Sequence, residues 1–172
     1  MFSKKFAFVL MLALSTLAFA DEYFEYPQKV DGCYQISTGQ EMNGFIRIVN
    51  GSGDYPKDPM ACGVLTADIR LVTGEFGWDP IEVFSGTFDG NGHTISNLEA
   101  TEKKPFFTLI DGTKDKPAVI KNVGWVNSSV SSQWGYIGLI RQAEGYVLLD
   151  NVYNSVDYTA SQGLVSCFIL TQ

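Results

Sequence analysis

The sequence predicts an all-β chain: a right-handed parallel β-helix of about three coils, with one short capping helix in its N-terminal section. Three observations carry that expectation. A short motif recurs, as Ile95-x-Asn97-Leu98, Ile120-x-Asn122-Val123 and Leu149-x-Asn151-Val152, and Gly138-Leu139-Ile140 returns as Gly163-Leu164-Val165, at steps of 25, 29 and 25 residues. From Ala61 onward the apolar segments are short, and no helix-length segment lies between them, which removes βαβ units. Seventeen glycines, with many Asn, Ser and Thr, supply the tight turns such a chain requires. An antiparallel β-sandwich is the alternative. It needs no self-similarity, whereas stacked coils must offer one another matching positions.

The elements follow in chain order. Residues 1–20 read as a secretory signal peptide: Lys4 and Lys5, an apolar run from Phe6 to Leu14, and the small-residue site Ala18-Phe19-Ala20. The run is too short for a spanning helix and meets Asp21-Glu22, so cleavage after Ala20 and release from the cytoplasm are expected, without membrane insertion. Residues 21–80 form the expected N-terminal cap section, and 81–172 the repeat section. In the first, Ser37 or Thr38 caps a helix from about Gln40 to Asn50, with Met42, Phe45, Ile46 and Val49 on one apolar face and Gly51 closing it. Val64 to Val72 alternates as a strand, with Leu65, Ala67, Ile69 and Leu71 on one side. Asp79-Pro80 breaks the chain before Ile81–Phe84. Asp89-Gly90-Asn91-Gly92 is a turn cluster whose glycines tolerate positive φ. Further strands are expected at 106–110, 119–126, 136–141, 146–152 and 164–170. Asn97, Asn122 and Asn151 at equivalent turns would hydrogen-bond to one another in a ladder.

Cysteine and charge bound the chemistry. Of Cys33, Cys62 and Cys167, the first two are the expected disulfide, closing a loop of about 30 residues and worth roughly 3 kcal/mol. Cys167 remains free, a small hydrophobe in an apolar run. With one histidine and no paired C-x-x-C, neither a metal site nor a cofactor is expected. The formal net charge is −7, and loss of Lys4 and Lys5 leaves 10 basic against 19 acidic residues. That balance argues against nucleic acid and anionic lipid, but not against neutral polysaccharide.

Catalysis finds little support in these residues. Glycoside hydrolysis needs two carboxylates about 5–10 Å apart in one groove, and nothing in the spacing of Asp68, Asp79, Glu82 and Asp89 assembles such a pair. His93 is the one general-base candidate, but it follows Asn91-Gly92 as a turn residue would. Asp89-x-Asn91 has part of a Ca²⁺ loop and lacks the closing glutamate. A binding surface is the stronger alternative. Trp78, Trp125, Trp134, Tyr136, Tyr146, Tyr153 and Tyr158 supply rings, and Trp134, in the polar loop Ser131-Ser132-Gln133-Trp134-Gly135, forms with Tyr136 the candidate ligand-binding pair. Core packing is the competing role for Trp125 and several of the tyrosines.

The run Ser85-Gly86-Thr87-Phe88-Asp89-Gly90-Asn91-Gly92-His93-Thr94-Ile95-Ser96-Asn97-Leu98 resembles a segment of bacterial extracellular β-helix proteins carrying GLUG-type repeats. Gly32-Cys33-Tyr34, Phe45-x-x-Ile48-Val49-Asn50-Gly51 and Ala61-Cys62-Gly63 are similar to the section that precedes it there, and Ile120–Gly124 with Tyr136–Ile140 resembles one repeat. The resemblance implies a secreted or cell-surface protein of adhesin-like, structural or adhesive role, with polysaccharide or another surface protein as partner. It implies no chemistry for the repeat itself. The family's Gly-Leu-Val-Gly stands here as Gly138-Leu139-Ile140-Arg141 and Gly163-Leu164-Val165-Ser166. No polar cap follows Leu170, so a truncated relative, a fragment, or a chain pairing end to end with another molecule is expected.

Overall fold

The structure is a computed structural model that describes residues 23–53, 55–72, 79–101, 103–133 and 138–161. Parallel ladders of strands wrap these residues into a β-solenoid of about four turns, rather than three. The first ladder stacks β2 (Cys33–Ile36), β3 (Cys62–Leu65), β6 (Thr87–Asp89) and the beginnings of β10 (Ala118–Ser132) and β12 (Val147–Ala160). The second stacks β4 (Ile69–Arg70) and β7 (Thr94–Ser96) on the middle of β10 and β12. The third stacks β8 (Glu99–Thr101) on their ends. A separate sheet holds β5 (Ile81–Phe84), β9 (Phe107–Gly112) and β11 (Ile140–Gly145), again in parallel. Among the described strands only β1 (Lys29–Val30) runs antiparallel, against β2. Parallel pairing throughout the stack rules out the sandwich. Strands on both sides of residue 80 belong to one sheet and share one core.

The single helix among the described residues, α1 (Gly39–Asn50), begins where the sequence places it. Thr38 Oγ1 accepts from the Glu41 amide at 3.1 Å, and the Glu41 carboxylate accepts from the Thr38 amide at 3.2 Å and from Ser37 at 2.6 Å, a reciprocal capping box. It ends at Gly51, which sits at φ 80°. Met42, Phe45, Ile46 and Val49 are all buried, so the helix lays its apolar face on the first turn of the stack. Gly63 makes room for it: a Cβ there would come within 2.8 Å of the Phe45 ring. From that ring an aromatic row runs through the interior, with Phe45–Phe88 at 6.0 Å, Phe88–Phe107 at 6.3 Å and Phe107–Trp125 at 6.5 Å between centroids. Trp125 is therefore a core residue. Inward positions stack rung on rung, as Ile69, Ile95 and Trp125 do in the second ladder.

Three expectations are corrected by this register. Val64–Val72 is two strands, β3 and β4, because the chain turns a corner at 66–68 while keeping its odd-numbered apolar residues inward. The segments at 119–126 and 146–152 are parts of much longer strands of 15 and 14 residues. Those strands turn corners without breaking, because Asn122, Asn127 and Asn151 take positive φ of 46–52°, a conformation Asn tolerates better than other side-chain-bearing residues. Finally, Ile95-x-Asn97 does not stack on Ile120-x-Asn122. Phe88 pairs with Ile120, and Ile95 pairs with Trp125. Paired residues lie 25 apart between β3 and β6, 32 between β6 and β10, and 29 between β10 and β12, so the turns are unequal in length.

Candidate functional site

The corner between the first and second ladders gathers most of the polar side chains singled out in the sequence. Asn151 Nδ2 donates to Asn122 Oδ1 at 3.1 Å, and Asn122 Nδ2 donates to Asp89 Oδ1 at 3.1 Å. This is the expected ladder, but its third member is Asp89. Asn97 lies in another column, beside Asn127, where its amide group donates to the Leu71 carbonyl at 3.0 Å and accepts from Arg70 at 3.1 Å. Asp89 also accepts from the Asn91 amide at 2.8 Å and pairs with Lys121 Nζ at 3.1 Å. Burial pushes its carboxyl pKa up, but the hydrogen bonds from Asn91 and Asn122 and the Lys121 charge outweigh that and hold it below the ordinary aspartate value. Both Asp89 oxygens thus engage the protein's own donors.

His93 and Asp68 meet at the same corner, where β3 turns into β4 and β6 into β7. His93 Nδ1 lies 3.4 Å from Asp68 Oδ1, and the Thr94 amide donates to that same oxygen at 2.9 Å. The Thr94 hydrogen bond, ahead of a smaller opposing desolvation and with help from His93, lowers the Asp68 pKa. His93 also closes the turn through its amide bond to the Gly90 carbonyl at 2.8 Å. Its contacts are those of a turn residue.

Asp79 and Glu82 do share a concavity, a cavity of about 200 Å³ between α1 and the start of β5, lined also by Tyr23, Arg47 and Asn50. The Asn50 amide ties the two elements together, donating to the Pro80 carbonyl and accepting from the Glu82 amide, each at 2.9 Å. Both carboxylates are mostly exposed, and each faces a lysine: Asp79 and Lys104 at 4.0 Å, Glu82 and Lys57 at 3.8 Å. Neither is withdrawn from water. The Arg47 guanidinium stacks on the Phe24 ring at 3.9 Å. Among the described residues no group of three or more His, Cys, Asp or Glu is placed to hold a metal ion.

Cys33 and Cys62 stand directly opposite each other in β2 and β3 and are bonded, with a Cα–Cα distance of 4.5 Å. No family model, curated protein or solved structure matches the chain. The disulfide is compatible with an extracellular protein, and no helix among the described residues is long and apolar enough to cross a membrane. The candidate pair Trp134 and Tyr136, with Trp78, Cys167 and the leader, lies outside the described residues. The rings that are described divide: Trp125 is buried, Tyr158 is half-buried, and Tyr146 and Tyr153 are exposed. Sequence reading passed over the setting of Tyr153. Its ring lies across Gly124 of the neighbouring strand, a pairing visible only once the 29-residue register is known.

Proposed function

We propose that this chain is a secreted or cell-surface, non-catalytic β-solenoid with a structural or adhesive role. The observation that supports this reading best is the use made of the polar side chains. Asp89, Asn122, Asn151, Lys121 and Asn50 hold one turn of the stack to the next or the helix to the stack, and Asp68 and His93 brace corners. Side chains committed to stacking make a rigid frame whose outer faces are presented to partners. The leader-like residues 1–20, the Cys33–Cys62 bridge and the resemblance to GLUG-type repeat proteins agree with a place outside the cytoplasm.

The test is to tag the protein in its source cells, label intact cells with a membrane-impermeant reagent, and measure attachment of cells with and without the gene. Labelling from outside together with reduced attachment in the deletion is the expected result. Protection from the label in intact cells, or release of reducing or unsaturated sugar ends by the purified protein, would overturn the reading.

A further inference from the structure

We propose that residues 163–170 of this chain lay the next parallel strand on β11, with Val165 opposite Ile140 and Phe168 opposite Ala143. Those residues lie outside the described ones, and β11 is the last described strand of its sheet. The surface that receives them is well defined. Each strand of this sheet carries an apolar pair three residues apart: Ile81 and Phe84, Phe107 and Ile110, Ile140 and Ala143. The pairs stack in register as two columns, Ile81–Phe107–Ile140 and Phe84–Ile110–Ala143. Five of these six side chains are buried. The sixth, Ala143, is the smallest and is only half-buried.

The sequence after Ser161 repeats the pattern. Phe106-Phe107-x-x-Ile110 and Leu139-Ile140-x-x-Ala143 are followed by Leu164-Val165-x-x-Phe168, and both Phe106 and Leu139 are fully buried. The connection fits as well. Thr101, Ser131 and Thr159 stand in register on adjacent rungs. Phe107 follows Thr101 by six residues, and Val165 follows Thr159 by six, so a link of this length already serves one turn of the stack. A phenylalanine over Ala143 fills the space the small side chain leaves, as alternating large and small residues do in packed layers.

The backbone is set for the same addition. Ile81 donates its amide to the Phe106 carbonyl at 2.9 Å, and Phe107 donates to the Leu139 carbonyl at 2.9 Å. Ile140 stands in register with Phe107, so its amide is aimed at the next rung, where Leu164 supplies the carbonyl. An edge filled in this way is closed to strand addition by another molecule, which directs partners to other surfaces of the stack. This goes beyond the adhesive reading and does not depend on it.

Cysteine pairing tests the register. Cys33 and Cys62 are register partners on parallel strands and are bonded, and the proposed register brings Gln142 opposite Cys167 in the same way. Gln142→Cys, kept dilute with oxidised glutathione to accept the two thiol hydrogens, should form a 142–167 disulfide within one chain, seen as a linked peptide by mass spectrometry. Glu144→Cys lies about 7 Å further along the strand, out of disulfide reach, and should not bond to Cys167. Independently, Phe168→Ala should speed hydrogen exchange of the β11 amides about tenfold and leave β2 and β3 unchanged. Circular dichroism and melting of each variant confirm that it folds. The inference is overturned if Gln142→Cys does not bond to Cys167, if Glu144→Cys bonds to it as readily, if the 142–167 bond joins two copies of the chain, or if β11 exchanges at the same rate in Phe168→Ala.

Discussion

Ile120 and Leu149 occupy the same inward position on adjacent rungs, yet Ile120 is fully buried and Leu149 only partly so. That contrast repeats across the two ends of the described stack. At the N-terminal end, Ile36 and Leu65 are fully buried beneath α1, as is the helix's own Phe45. Along β12 the inward residues Val147, Leu149, Val152 and Val156 are all half-buried. The interior of a solenoid is equally apolar along its length. Among the described residues, what differs is the layer above it, and each rung draws its stability from its neighbours. The helix is such a layer, fastened by the Cys33–Cys62 bond between the first two rungs.

Several substitutions would break or sharpen this comparison. Phe45→Ala empties the contact between helix and stack at Gly63 and Phe88, and should cost about 3–5 kcal/mol in urea unfolding. A loss below about 1 kcal/mol would mean that α1 does not cover the core. Ile120→Ala should cost about 2–5 kcal/mol, and Leu149→Ala roughly half as much as its neighbour, because less apolar surface leaves water at Leu149. Equal losses would contradict the gradient. Replacing both Cys33 and Cys62 by Ser should lower stability by about 3 kcal/mol, and the effect should appear first as increased proteolysis within 29–50 rather than within β12.

Asp89→Asn tests the ladder. The folded-state pKa of Asp89 is depressed, so the stability its charge contributes is present above the ordinary aspartate pKa and is lost as pH falls through the folded value. Wild type should therefore exceed Asp89→Asn by about 1–2 kcal/mol at pH 7, with the difference shrinking below about pH 4. A difference independent of pH would remove the Lys121 pair from the account. Smallest of all, Thr38→Ala should cost about 1 kcal/mol through loss of the helix cap.

Much of this was legible in the sequence, for identifiable reasons. The helix carried a capping pair, a one-sided apolar face and a closing glycine, so local chemistry determined it within a residue. Cys33 and Cys62 lie at a spacing close to one turn, which places them opposite each other once the strands are parallel. The register was harder. Ile95-x-Asn97 looks like Ile120-x-Asn122 because both pass an apolar residue and then turn at a positive-φ Asn, but they turn different corners. Every corner makes the same demand on the backbone, so similar residues recur at positions that do not stack. The ladder's third member was missed for the same reason: Asp89 supplies an acceptor oxygen as Asn would, yet it pairs with Lys121, one residue before Asn122, where an alignment on Asn selects Asn97 instead.

Hydrogen–deuterium exchange across the folded protein tests the central claim most directly, since it reports opening free energy segment by segment. The slowest amides should lie in β3, β6 and the start of β10, beneath α1 and the disulfide, with protection falling through the turns to its lowest strand value in β12. Uniform protection along the stack, or slower exchange in β12 than in β3, would contradict an account in which each rung is as stable as the layer that covers it.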